Sequence, residues 1–228
     1  MKFLITIVLL AAVSGSGFSQ PELKIYGSLG KIMHENDTSE KVRLNLMGPI
    51  YNHYGLGAVA GLDGEILILK GETYVTRVFN GSLATDKSTD VGAALLVLTQ
   101  VDEWDTLNLE IDISSMNELG GYIEEQDYEG VFPFMVLTNE GTLEWHVIQS
   151  PDNDEEMKNH KNSALKGKYK GEALILGFFS QSHQGVFTHH DENTHMHFQS
   201  SDKLYSGHVD ELHISKNDKL LIPKYLQK

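Results

Sequence analysis

Cysteine is missing from the chain altogether. That excludes a disulfide framework, a lipid-modified cysteine anchor and a thiolate-rich structural zinc site. Positive charge is scarce as well. The 18 Lys and Arg face 32 Asp and Glu, giving a formal net charge of −14, and Arg43 and Arg77 are the only arginines. Nucleic acid is therefore not an expected partner, because phosphate binding needs clustered basic residues. Long hydrophobic runs are lacking too. The apolar stretch at residues 3–13 is too short to cross roughly 30 Å of hydrocarbon, which takes a helix of about 20 residues.

What that stretch does resemble is the core of a secretory signal. Lys2 precedes it, and small residues from Ser14 to Ser19 follow, the order of a cleavable signal peptide. Residues 1–19 are read as that peptide, with export to a periplasmic or extracellular compartment and no membrane attachment after cleavage. The mature chain then holds 228 − 19 = 209 residues, enough to bury a sizeable core.

Runs of four to eight apolar or β-branched residues bounded by Gly, Asn or Asp recur through the mature chain, and helix signals are few. The expected fold class is α+β, mostly antiparallel β, in two sheet-based layers or subdomains. Residues 65–69, Lys70-Gly71 and residues 72–75 read as a hairpin. Residues 134–137, a turn at 138–141 and residues 142–148 read as a second. Residues 173–179 are expected to pair with the histidine-rich region. The mixed spacing of Leu107, Leu109, Ile111, Ile113, Met116 and Leu119 predicts a helix over residues 106–126, stopped at Gly120-Gly121. The acidic stretch 150–156 marks a boundary between an N-terminal half, 20–149, and a C-terminal half, 150–228.

Of eleven histidines, six lie between His183 and His208. His195 and His197 are one residue apart, so on a strand both emerge from the same face. A turn centred between Asp202 and Lys203 sets His197 opposite His208, with Cβ atoms about 4.5–5.5 Å apart. Three imidazoles then face one point, with a fourth position open for water or substrate, as in catalytic zinc sites. On its own an HxH pair is as readily a polar alternation facing solvent; His208 at hairpin distance decides for the metal. His189, His190, Asp191 and Glu192 read as a solvated loop at the site's mouth, and His53, His160 and His213 as surface residues.

The stretch His195-Met196-His197-Phe198, its spacing to Gly207-His208-Val209, and the separate segment Gly57 to Glu65 ending in Leu62-Asp63-Gly64-Glu65 together resemble the acetolactate decarboxylase family over about Tyr26 to Ile222. The resemblance implies zinc as the only cofactor and Glu65 as an active-site carboxylate. It also implies decarboxylation of 2-acetolactate, a small 2-hydroxy-3-keto acid, to acetoin. The family's arginine falls in a segment that here reads Glu144-Trp145-His146-Val147-Ile148, which leaves His146 as its positional heir. The family's late glutamate has no counterpart from Lys219 to Lys228. The alternative is an exported, non-decarboxylating zinc protein of the same fold, binding or converting another small hydroxy-keto acid. A cupin fits less well, since its glutamate would fall near Ser201. Homodimer assembly is left open.

Overall fold

A computed structural model describes residues 21–150 and 164–226. The signal-peptide reading and nearly all of the acidic stretch at 150–156 lie outside the described residues. Among these, no helix is long and apolar enough to cross a membrane.

Two antiparallel sheets account for most of the structure. The first holds β1 (Lys24–Tyr26), β2 (Val42–Arg43), β3 (His53–Val59), β4 (Glu65–Leu69), β5 (Glu72–Phe79), β6 (Ser82–Lys87) and β7 (Gly92–Gln100), in the order β1-β7-β3-β4-β5-β6 with β2 also on β7. The second holds β8 (Trp104–Asn108), β9 (Phe132–Ile148), β10 (Ala164–Phe179), β11 (Thr194–Ser200), β12 (Ser206–His213) and β13 (Lys219–Pro223), in the order β10-β11-β12-β9-β13-β8. Because β10 pairs with β9 as well as with β11, the strands β9, β10, β11 and β12 close into a ring of pairings. The expected division after residue 149 falls between β9 and β10, which pair with each other, whereas the chain changes sheets between β7 and β8.

The β4–β5 hairpin forms as expected. Lys70 at φ 53° and Gly71 at φ 84° make the two-residue turn with positive φ at both positions, which matches the twist of the flanking strands. The second expected hairpin does not form. Residues 138–141 lie inside the single strand β9, with Thr138 opposite Ala173 and Gly141 opposite Gly171. Between those pairs β9 carries Asn139 and Glu140 against the single Glu172 of β10, so turn-type residues produce a bulged bend in place of a reversal.

The helix expected over 106–126 begins as strand and forms only in its second half. Residues 104–108 are β8, an edge strand on β13, and the helix spans only Met116–Glu124. Its start is set by Ser115, whose hydroxyl accepts the Glu118 N–H at 3.1 Å, while the Glu118 carboxylate accepts the Ser114 N–H at 2.7 Å. Gly120-Gly121 sits within it, not at its end. Met116, Leu119, Gly120 and Ile123 form the buried stripe, and a methyl group at Gly120 would lie 3.7 Å from the Thr194 side chain at the start of β11. Removing the cap by Ser115→Ala is expected to lower stability by about 1 kcal/mol, read as a lower denaturation midpoint with unchanged slope in urea.

Both faces of the first sheet are covered. Leu44, Ile66, Ile68 and Val75 pack on one side; Leu56, Leu67 and Tyr74 pack on the other, together with Met135, Leu176 and Phe178 from the second sheet. This second layer welds the sheets together. The strand ring encloses a further cluster that includes Trp145, Phe198 and Val209.

Candidate metal centre

Alternation along β11 sends Met196 and Phe198 into the core of the strand ring and leaves His195 and His197 on the opposite face. The β11–β12 hairpin pairs His197 with His208 and Gln199 with Ser206, the register expected from a turn centred between Asp202 and Lys203. On its other side β12 pairs with β9, setting His208 opposite His146. His195, His197 and His208 offer nitrogens within 4.8 Å of one another, and His195 Nε2 lies 3.1 Å from His208 Nδ1. Nitrogens held about 2.0–2.1 Å from a tetrahedral ion stand roughly 3.3 Å apart.

The tautomer of one of these imidazoles is fixed by the neighbouring sheet. His197 Nδ1 donates to the Ile66 carbonyl at 3.0 Å. Its Nε2 is then a lone-pair nitrogen, buried and without a hydrogen-bond partner. A ring held by a carbonyl on one nitrogen and bare on the other is how ligand histidines are oriented. Burial keeps all three rings neutral, pulling His195 down to about 3, with His189 and His146 adding to it, and His197 and His208 well below the ordinary value. Neutral imidazoles carry the lone pairs a metal needs. An orphaned buried nitrogen, the spacing and the protonation state all fit a bound metal ion.

Glu65 reaches the same pocket from the first sheet. It opens β4, and the turn before it holds Leu62 at φ 58°, a left-handed conformation that costs a branched residue roughly 1–2 kcal/mol. Its carboxyl accepts the Ile148 N–H at 3.2 Å, and its other oxygen lies 3.6 Å from His197 Nε2. Burial raises its pKa to about 7, against the opposing pull of His146 and the Ile148 hydrogen bond. A carboxyl so placed is poised to give up a proton near neutrality.

His146 also lines this pocket, its ring centroid 4.6 Å from that of His208. Its Nδ1 donates to Asp210 Oδ1 at 2.7 Å. Burial works against the charged ring, but the Asp210 hydrogen bond and the charges of Glu65 and Asp210 outweigh it and raise its pKa. His146, His208 and Asp210 form a second group of close ligand atoms. Asp210 was not singled out from the sequence. It is the extra residue of a bulge, since Val209 pairs with Trp145 and Glu211 with Glu144, and simple alternation along β12 does not foresee where a bulged side chain turns. His189, read as part of a solvated loop, lines the pocket too, 6.3 Å from His208 between ring centroids.

The cavity has a volume of about 320 Å³, with an apolar wall that includes Leu29, Ile32, Leu62 and Phe187 facing the polar cluster. This is the small end of ligand pockets. Fold and site together describe a two-sheet protein with a pocket whose three histidines could hold a metal ion, bordered by a buried carboxyl. The family profile of alpha-acetolactate decarboxylase matches residues 50–224, and the chain belongs to that family of carboxy-lyases. Among solved structures, it is similar to alpha-acetolactate decarboxylase from Bacillus subtilis strain 168 (TM-score 0.70, 14% identity, 89% of this chain and 85% of that one). It is similar also to acetolactate decarboxylase from Bacillus subtilis subspecies spizizenii (0.69, 15%, 88% and 85%). A third likeness is a Staphylococcus aureus protein of unknown function similar to alpha-acetolactate decarboxylase (0.68, 17%, 88% and 84%). At such identities these likenesses concern the fold. No curated protein matches the chain significantly.

Proposed function

We propose that this chain is a zinc-dependent decarboxylase that converts 2-acetolactate to acetoin and carbon dioxide. The observation that carries the reading is the meeting of Glu65 with His195, His197 and His208 in one pocket, although 130 residues separate Glu65 from the first of them. Three imidazoles with no thiolate in the chain suit zinc and leave a position for substrate. A zinc ion there supplies a Lewis acid to the substrate oxygens, where negative charge develops as carbon dioxide leaves. The chain's own residues do the rest. Glu65, held by the Ile148 N–H, gives a proton to the carbon that has lost its carboxylate. His146, steadied through Nδ1 by Asp210, turns its remaining nitrogen to the departing carboxylate. The apolar wall takes the substrate's methyl groups and limits the entry of water.

Export after loss of residues 1–19 belongs to the same proposal and rests on their sequence. The test is direct: residues 20–228, loaded with zinc, are incubated with 2-acetolactate and acetoin is followed against the spontaneous rate. A second reading, a zinc protein of this fold acting on another hydroxy-keto acid, draws on the lack of any arginine among the pocket-lining residues. Acetoin at the spontaneous rate, with zinc bound, would favour it.

His146→Gln is expected to raise KM about tenfold with zinc content intact, since it removes one hydrogen bond to a charged group. His146→Arg is expected to match or exceed the parent kcat/KM, because guanidinium offers a fixed fork to a carboxylate. Unchanged kinetics in both variants would remove His146 from the scheme.

A further inference from the structure

An anionic substrate entering this pocket meets two carboxyl groups, Glu65 and Asp210, and needs positive charge besides the metal. His146 does not supply a net charge. Its Nδ1 is committed to Asp210, so the pair sums to zero when the ring is protonated and to −1 when it is not. Both arginines are engaged elsewhere, Arg43 with Glu40 and Asp90 and Arg77 with Asp63.

Among the described residues, one permanent cation remains at the pocket. Lys166, on β10, is the only Lys or Arg of these that lines it, and it stands opposite His146 in the β9–β10 register. Directly opposed residues of an antiparallel pair point to the same face, with Cβ atoms about 4.5–5.5 Å apart. His197, His208, His146 and Lys166 thus form one row across four strands. Two residues on, Lys168 faces Glu144 and is paired with it. Lys166 has a histidine where its neighbour has a carboxylate, and among the described residues it makes no salt bridge. Its charge is nevertheless felt in the pocket, where it works against protonation of His146.

We propose that Lys166 is the residue that binds the carboxylate of the 2-hydroxy-3-keto acid, its exposed ammonium drawing the anion to the mouth of the pocket and holding it beside His146. The inference deepens the decarboxylase reading and takes its substrate class from it. A primary ammonium on a flexible stem is a point charge and not a fork, so His146 keeps the orienting hydrogen bond and Lys166 adds the net charge that draws the anion in.

The experiment uses the zinc-loaded mature chain and two probes: 2,3-dihydroxy-2-methylbutanoate, an anionic analogue that cannot decarboxylate in the same way, and neutral acetoin. Calorimetric titration of Lys166→Met is expected to show at least a tenfold rise in Kd for the acid, unchanged affinity for acetoin and unchanged zinc content. Lys166→Arg should bind the acid within about threefold of the parent, and the salt dependence of acid binding should be lost in Lys166→Met alone. Equal affinity of parent and Lys166→Met for the acid, or an equal loss for acid and acetoin, overturns the assignment. A parent that turns over acetolactate while Lys166→Met leaves KM unchanged also overturns it and leaves the decarboxylase reading standing. A parent that binds the acid through Lys166 without releasing carbon dioxide supports it and ends the decarboxylase reading.

Discussion

Replacing Glu65 by Gln is expected to lower kcat by about 10²- to 10⁴-fold, the usual contribution of a positioned general acid, while zinc content stays at the parental level. Gln keeps the shape and still accepts the Ile148 N–H, but it has no proton to give. Loss of activity through misfolding is separable by sign. Burial raises the Glu65 pKa to about 7, above its unfolded value, so the folded chain holds this proton more tightly. Its contribution to stability is present below the unfolded pKa and is lost as pH rises through about 7, a swing on the order of 3 kcal/mol. A neutral isostere escapes that loss. At pH 8 the metal-free variant should melt no lower than the metal-free parent, while the zinc-loaded variant is nearly inactive. Parental turnover by Glu65→Gln would withdraw the assignment.

Removal of the metal should leave a protein that acid destabilises steeply. His195, His197 and His208 have folded pKa values depressed by burial, so each contributes stability that is present above the unfolded pKa of about 6.5 and lost as pH falls below it. One such group costs about 1.4 kcal/mol per pH unit, and three titrating together approach 4, against a total stability of roughly 5–15 kcal/mol. Thermal melts of zinc-loaded and chelator-stripped protein at pH 7.5, 6 and 5 test this. Zinc should raise Tm at pH 7.5 by mass action. That gain should shrink on acidification as protons displace the metal, and the stripped protein should lose the most between pH 6 and 5. A stripped protein with the same Tm at all three values would show that the histidines are not held as described.

The part of the site that lies within one hairpin was legible, because register follows from counting: a turn between residues 202 and 203 fixes His197 against His208. Glu65 was reachable only through resemblance, since no local rule ties a residue of β4 to a hairpin far along the chain. Lys166 was out of reach for a related reason. Its place opposite His146 depends on how β9 and β10 pair across the connection at 149–163, whose geometry no local signal sets. The errors of fold have local causes. Leu107 and Leu109 belong to a strand and the loop after it, so merging them with Met116 and Leu119 mixed two periods, and the Ser115 cap with Glu118 three residues on was the better start signal. Residues 138–141 have turn composition, yet a bulge uses the same residue types. Asn80-Gly81, by contrast, joins β5 to β6 with φ 51° and 73°, a turn signal that the sequence offers openly.

All three proposed metal ligands sit on β11 and β12, and the acid comes from β4 across the layer of Leu56, Leu67, Met135 and Leu176. Loading draws on the first sheet only for the Ile66 carbonyl that holds His197, whereas turnover needs Glu65 itself in place. A chain whose sheets have slid by an ångström misplaces its proton donor along with the hold on one of the three histidines, and displacements of that size can cost about a hundredfold in rate. Damage to the greasy seam between the sheets, which includes Leu176 opposite His197, would yield protein that turns over far more slowly than its metal content predicts.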